Sequence, residues 1–117
     1  MTTAITFNQD SPEAEQSPLY MTEGEERILA CTYWGVPSSV SFLAYRSTSE
    51  TGNGISATVF NAGSATISGN TATLPTIGDT YPLTGRATYV INVTATVGSE
   101  VYVKYIKIRV RKDEAMA

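Results

Sequence analysis

Histidine is absent from this chain of 117 residues, and cysteine occurs once, as Cys31. Nucleophilic catalysis by a Ser–His or Cys–His pair needs an imidazole base, so both arrangements are excluded. Zinc sites need several Cys or His ligands, and the loops around Asp79 and Asn53 offer too few oxygens for calcium. The sequence therefore predicts a non-enzymatic protein with no cofactor and no metal. A single cysteine also requires no oxidising compartment.

Long apolar runs are missing as well. No stretch approaches the roughly 18 apolar residues of a membrane helix, and the N-terminus lacks the basic and apolar regions of a signal peptide. The net charge of −3 gives no overall attraction to nucleic acid or anionic lipid. These features predict a soluble protein that is made in a cytoplasm and has neither nucleic acid nor membrane as a partner.

Leucine is scarce, and runs of helix-forming residues are absent. Thr, Ser, Val, Ile, Ala and Tyr dominate instead, and branched and aromatic side chains fit a pleated sheet better than a helix. The apolar fraction of 42% is ordinary for a globular protein. A chain of this length has room for one domain with one core. The composition therefore predicts a single all-β domain.

Alternation of apolar and polar residues is clearest in residues 89–97 and 101–110, which flank a turn at Gly98. In the second segment the apolar residues change from odd to even positions near Lys104. An extra residue in a strand reverses its alternation, so the pattern predicts a β-bulge near Lys104.

Turn residues divide the rest of the chain. Gly69-Asn70 predicts a two-residue hairpin turn between strands, Gly52-Asn53-Gly54 predicts another turn, and Pro37 is expected to interrupt the chain between two strands. Seven or eight short strands at intervals of about 10 residues are typical of a sandwich or a small barrel, and an antiparallel sandwich of the immunoglobulin-like type is the favoured prediction. Besides the two strands above, strands are predicted at 4–7, 19–21, 27–34, 40–48, 55–60, 64–68 and 71–77.

The chain divides into three parts by composition. Residues 1–18 are predicted to form an N-terminal strand and an extended arm, because residues 8–18 are polar and contain Pro12 and Pro18, which disfavour ladder pairing. Residues 19–111 form the sandwich. Residues 112–117 form a short polar tail.

Charge is distributed unevenly along the chain. Every side chain from position 10 to 26 that is charged at neutral pH is acidic, and every such side chain from 104 to 112 is basic. The basic stripe is either a solvated strand face that discourages edge pairing or a docking surface for an acidic partner, such as the arm of a neighbouring copy or the chain's own arm. Surface ion pairs are weak, so docking also needs apolar burial. The candidate interface comprises Asp10, Glu13, Glu15, Lys107, Arg109 and Arg111.

Aromatic residues leave an alternative function open. A carbohydrate- or surface-binding module needs a shallow platform of exposed rings, for which Trp34, Tyr45 and Tyr102 are the candidates. An adhesin repeat is a further alternative, disfavoured by the missing signal peptide and missing repetition.

Tyr89-Val90-Ile91 has the layout of an immunoglobulin tyrosine corner, in which a tyrosine begins the penultimate strand. Ile91 then occupies the position of the second disulfide cysteine, and Cys31 is its expected opposite. Cys31 has no basic neighbour in the sequence and is interpreted as a buried apolar residue, not a reactive thiol. Phe42 is the expected aromatic core residue of the next strand. This layout resembles an immunoglobulin-like core in which packing replaces the disulfide.

The chain begins with an apolar strand, Ile5-Thr6-Phe7, followed by an acidic, proline-containing stretch, Asp10-Ser11-Pro12. It closes with a tyrosine-led strand, a glycine turn and a strand of alternating basic residues. In these features the whole chain resembles short immunoglobulin-like accessory proteins of tailed bacteriophages. The resemblance implies a structural protein of the virion, present in multiple copies. It would act as a capsid decoration (cement) protein or a fibre–tail adaptor that binds capsid or tail proteins.

Overall fold

A computed structural model describes residues 2–47, 54–56, 59–61, 63–80, 83 and 87–111. The predicted turn at Gly52-Asn53 and the tail at 112–117 lie outside these residues. Within them the chain forms strands and no helix, and hence no helix able to span a membrane. The strands are β1 (Thr2–Thr6), β2 (Leu19–Thr22), β3 (Ile28–Thr32), β4 (Pro37–Ser47), β5 (Gly54–Ser56), β6 (Thr66–Ser68), β7 (Thr71–Thr73), β8 (Thr88–Val97) and β9 (Glu100–Arg111).

Two sheets make up the sandwich. The four-stranded sheet has the order β1-β3-β7-β6, and the five-stranded sheet has the order β2-β9-β8-β4-β5. This is the arrangement of the immunoglobulin fold, in which strands A, B, E and D face strands G, F and C, so the predicted fold class is confirmed. The described strands number nine, one for each of the nine predicted segments and one or two more than the predicted total of seven or eight.

Both sheets are mixed and not purely antiparallel. β1 runs parallel to β3, and β2 runs parallel to β9, while the other described pairs are antiparallel. Neither parallel pair is joined by a tight hairpin turn, which would force the antiparallel direction. Each N-terminal strand is therefore free to add to a sheet edge in the direction that buries its apolar face.

The core lies between the two inner faces. Cys31 on β3 and Ile91 on β8 are both fully buried, in opposite sheets, as the immunoglobulin-like layout implies. Phe42 packs partly buried against Phe60, with ring centroids 4.6 Å apart. Each fully buried isoleucine contributes roughly 2 to 3 kcal/mol of hydrophobic stabilisation, so this packing can replace a disulfide as the link between the sheets.

The β-bulge predicted near Lys104 is wrong. The pairing of β8 with β9 runs in unbroken register from Thr88 opposite Arg109 to Val97 opposite Glu100. Lys104 faces inward and is 5% exposed, while Val101 and Val103 face outward and are 65% and 57% exposed. The alternation changes phase because a charged residue points into the sandwich and apolar residues point to solvent, and not because the backbone slips.

The predicted turn at Gly69-Asn70 and the predicted interruption at Pro37 have different outcomes. The hairpin at Gly69-Asn70 is confirmed, because β6 and β7 pair across it. Pro37 does not interrupt the strands. It opens β4, where a missing N–H costs no ladder hydrogen bond, and the register shifts between Pro37 and Ser39.

Residues 8–18, the N-terminal arm, lie along the outer edge of β9. The Tyr105 N–H donates to the Pro12 carbonyl at 2.9 Å, and the Ala14 N–H donates to the Tyr105 carbonyl at 3.0 Å. Pro12 does not prevent this pairing because it contributes only a carbonyl. Since the arm continues into β2, the edge of β9 is covered from Tyr105 to Arg111, which removes an aggregation-prone edge.

Candidate functional site

The three basic residues of the candidate interface share the outer face of the five-stranded sheet. Lys107 lies opposite Val90, and Arg109 lies opposite Thr88. Among the described residues no carboxylate lies within ion-pair distance of Lys107, Arg109 or Arg111. Two of the three cationic groups lie over tyrosine rings: Lys107 Nζ is 5.9 Å from the Tyr105 centroid, and the Arg111 guanidinium is 5.1 Å from that of Tyr20. Exposed contacts of this kind contribute about 0.5 to 1 kcal/mol.

The three acidic residues do not assemble into a matching array. Glu13 reaches β9, where its carboxylate accepts a hydrogen bond from the Tyr105 hydroxyl at 3.3 Å and another from the Ser17 hydroxyl. Asp10 and Glu15 are exposed on the arm. The chain's own arm is therefore held on β9 by backbone hydrogen bonds, and the acidic and basic stretches do not neutralise each other.

Desolvation raises the pKa of Tyr105 above its ordinary value, and the Glu13 carboxylate raises it further by repulsion and by accepting the hydrogen bond. The phenol therefore keeps its proton in neutral solution and acts as a donor to Glu13. This contact places one negative charge in the middle of the outer edge of β9.

Apolar residues occupy the other end of the same outer face. Val101 and Val103 precede the basic residues on β9, and Leu43 on β4 is 61% exposed. Leu43 lies opposite Asn92, which lies opposite Tyr105, so Leu43 joins the surface two strands away from β9. The alternation pattern missed this apolar group because the predicted bulge assigned Val101 and Val103 to the core. Val101, Val103 and Lys107 all occupy odd-numbered positions. In a strand without a bulge this shared parity places the three side chains on the same outer face, and that was the signal in the sequence.

Lys104 occupies a second site, on the inner side of β9. Its ammonium donates hydrogen bonds to the carbonyls of Gln9 at 2.9 Å and Ser11 at 2.8 Å. The same ammonium lies 5.3 Å from the Trp34 ring centroid and 5.5 Å from that of Tyr102. Two charge-assisted hydrogen bonds thus fasten the N-terminal arm to the sandwich, and two cation–π contacts hold the ammonium in place.

Burial lowers the pKa of Lys104, while the nearby Asp10 carboxylate opposes that shift. Desolvation thus cancels part of what the hydrogen bonds contribute. The sequence contained no local signal for this site, because Lys104 and the two carbonyls are more than 90 residues apart.

The aromatic residues do not form a flat binding platform. Trp34 and Tyr102 meet edge to face at 4.7 Å with an interplanar angle of 86°, on the inner side of β9 and around the Lys104 ammonium. Tyr45 lies on the outer face of β4, opposite Val90. The three rings considered for carbohydrate binding therefore point to different sides of one sheet.

The described residues also offer little reactive chemistry. No group of three or more Cys, Asp or Glu side chains among them could hold a metal ion. Cys31 is fully buried, and desolvation raises the pKa of its thiol to about 12. The thiolate, which is the reactive form, is therefore suppressed at neutral pH.

We expect the Cys31 thiol of the folded protein to react with Ellman's reagent about 1,000-fold more slowly than the thiol of the urea-unfolded chain, because reaction requires opening of the core. Release of thionitrobenzoate measures both rates. The denatured sample serves as the control and should titrate one thiol per chain. Equal rates in both samples would show that Cys31 is accessible.

Fold and surface together define an immunoglobulin-like β-sandwich with a firmly held N-terminal arm and an outer face that is apolar at one end and basic at the other. No family model matches the chain, and no curated protein matches it in sequence.

Proposed function

We propose that the chain is a non-enzymatic structural protein of a tailed bacteriophage virion that docks on shell or tail proteins. Its role is that of a capsid decoration protein or of a fibre–tail adaptor. The observation that carries the proposal is the pair of exposed valines, Val101 and Val103, on a sheet face that also bears the exposed Leu43 and three cations with no carboxylate partner among the described residues. The resemblance to short phage accessory proteins supports the virion as the place where this face is covered.

Exposed apolar groups of this kind support docking for a physical reason. Single exposed apolar residues are ordinary on protein surfaces, but contiguous ones rimmed by polar residues mark interaction sites. Val101 and Val103 occupy successive outward positions of one strand, next to the hydroxyl-bearing Thr96 and Thr94. Covering them with a partner would remove about 25 cal/mol per Å² of apolar surface from water.

The fixed arm supports the same proposal. Lys104 and the backbone bonds of Tyr105 hold residues 9–14 in one position, so Asp10 and Glu15 are presented at defined places on the surface. A pre-ordered arm loses little conformational entropy when it docks. The arm therefore adds acidic contacts beside the sheet without having to fold on its partner.

Quantitative mass spectrometry of purified virions tests the proposal. We expect peptides of this chain in virions of the phage that carries its gene and none in virions from which the gene has been deleted. On the order of hundreds of copies would assign a shell role, and about a dozen or fewer would assign a tail role, because symmetry fixes the number of sites. Absence from wild-type virions would refute the proposed function.

A further inference from the structure

The two outer faces of the sandwich differ in chemistry. On the four-stranded sheet the outward side chains of the described strands are uncharged, and all but Ile28 are alanines, threonines and serines. Three of the hydroxyls are engaged: Thr32 and Thr71 hydrogen-bond at 3.3 Å, and the Gln16 side-chain amide donates to the Thr6 hydroxyl at 3.2 Å. The outward residues that define this face are Thr2, Ala4, Thr6, Ile28, Ala30, Thr32, Thr66, Ser68, Thr71 and Thr73.

The outer face of the five-stranded sheet is polarised along β9. Val101 and Val103 lie at one end, and Lys107, Arg109 and Arg111 follow on the same side toward the other end. The ten-residue separation from the first valine to the last arginine corresponds to roughly 34 Å in a strand. This face thus combines apolar area with cations that have no carboxylate partner among the described residues.

We infer that the outer face of the five-stranded sheet is the docking face, and that its partner is a protein surface with an apolar patch beside an acidic edge. The inference rests on the proposed function and adds to it the face and the chemistry of the partner. The main support for an acidic partner is charge complementarity, because three cations lie on one face of a chain whose net charge is −3.

Two other occupants fit this face less well. Two facing copies of this surface would bring cations together, and the Glu13 carboxylate of each copy is held by its own Tyr105 and Ser17, which leaves only Asp10 and Glu15 of the candidate acidic residues to meet the basic residues. Nucleic acid would leave Val101, Val103 and Leu43 without apolar contacts and would meet the Glu13 carboxylate at the edge of the face. A protein surface with an apolar patch beside an acidic edge satisfies both ends of the face.

Each end of the face has a different role in binding. Burial of the valines and of Leu43 supplies affinity, because apolar contacts at the centre of an interface exclude water. The basic residues orient the partner and speed association, and their contribution falls as salt is added. Binding should therefore persist in high salt but become weaker.

The test uses particles assembled without this gene, mixed with the purified full-length chain and separated by sedimentation. The variant V101D/V103D introduces two carboxylates at the apolar end, and K107Q/R109Q/R111Q removes the positive charge. The matched control is T66D/S68D, which places two aspartates at the same spacing on exposed positions of β6 in the other sheet. V101T/V103T keeps the branched shape and provides a milder change if the aspartates disturb the fold, which circular dichroism checks.

We expect V101D/V103D to bind particles at least about 100-fold more weakly than wild type, and V101T/V103T about 10-fold more weakly. The glutamine variant should bind about 10-fold more weakly and lose most of the salt dependence, while T66D/S68D should stay within about 3-fold of wild type.

Each remaining outcome overturns a specific statement. If V101D/V103D binds particles as wild type does and T66D/S68D does not, the docking face lies on the four-stranded sheet. The proposed function would then still stand. Competition of single-stranded DNA with the particles for wild-type protein would replace the acidic protein by nucleic acid. Failure of wild type to bind particles at all would overturn the proposed function and this inference together.

Discussion

Replacement of Gly78 by alanine is expected to lower the free energy of unfolding by about 3 kcal/mol or more, one of the largest effects of any single methyl group in this chain. Gly78 has a φ of 87°, and a Cβ atom there would lie 2.3 Å from the Glu25 carbonyl oxygen. Arg27 and Ile77 exchange backbone hydrogen bonds of 3.0 and 2.7 Å, which hold the two segments together. The clash can therefore be relieved only by breaking that bridge.

Gly24→Ala is the matched control for this prediction. Gly24 has the same φ of 87°, but a Cβ atom there meets nothing within 4 Å. Its substitution should cost only the conformational penalty of about 1 to 2 kcal/mol. Urea denaturation followed by the fluorescence of Trp34 measures both losses. Equal losses in the two variants would mean that close approach to Glu25 has no energetic consequence.

Lys104→Met is expected to destabilise the protein by about 2 to 3 kcal/mol, because it removes the donor shared by two carbonyls of the arm. Methionine keeps an unbranched apolar chain in the space beneath Trp34, so lost packing is small. The expected loss of stability is no larger than this because the buried Lys104 ammonium already carries a desolvation cost. The same desolvation lowers the pKa of Lys104. Thermal unfolding followed by circular dichroism measures the change.

The same variant should loosen the arm selectively. Hydrogen exchange at the amide of Ala14, which bonds to Tyr105, should become faster in Lys104→Met, while exchange within β8 should change less. Lys107→Met is the control, since Lys107 lies on the outer face of the same strand, and its effect on stability should stay within about 1 kcal/mol, the most that its exposed contact with Tyr105 contributes. Wild-type stability and wild-type exchange in Lys104→Met would show that the Lys104 site does not hold the arm.

The two sides of β9 have different roles. Its inner side holds the N-terminal arm through Lys104, and its outer side carries the proposed docking face. Because the side chains of a strand alternate between faces, neighbouring residues such as Val103 and Lys104 serve different tasks without competing for space. Substitutions on the two sides can therefore be tested separately.

Local patterns predicted the strands that pair with their neighbours in sequence. The hairpin at Gly69-Asn70 and the pairing of β8 with β9 depend on turn residues and on alternation within a few positions, and both were predicted correctly. The immunoglobulin-like sandwich was predicted from strand spacing and from the resemblance of the Tyr89 layout to a tyrosine corner. The basic stripe of Lys107, Arg109 and Arg111 was also placed on one face, because period-two alternation holds whatever the fold.

Prediction from the sequence alone was wrong where the alternation of apolar and polar residues does not match which side chains are buried. Lys104 breaks the rule that charged residues face solvent, and a bulge was the only local way to restore the rule. The actual solution uses carbonyls and aromatic rings from distant parts of the chain to satisfy the buried ammonium. Pairing of the proline-containing arm was missed for a similar reason, since only the three-dimensional structure reveals that Pro12 contributes a carbonyl to β9.

By itself, the sequence determined the all-β class, the number and approximate bounds of the strands, and the absence of histidine and of a cysteine pair. These properties depend on residue types and short-range periodicity. Only the tertiary structure decided which sheet edge β1 and β2 join, which way Lys104 points, and that Val101, Val103 and Leu43 share a face with three cations. Those features depend on contacts between residues far apart in the chain, whose geometry no local pattern encodes.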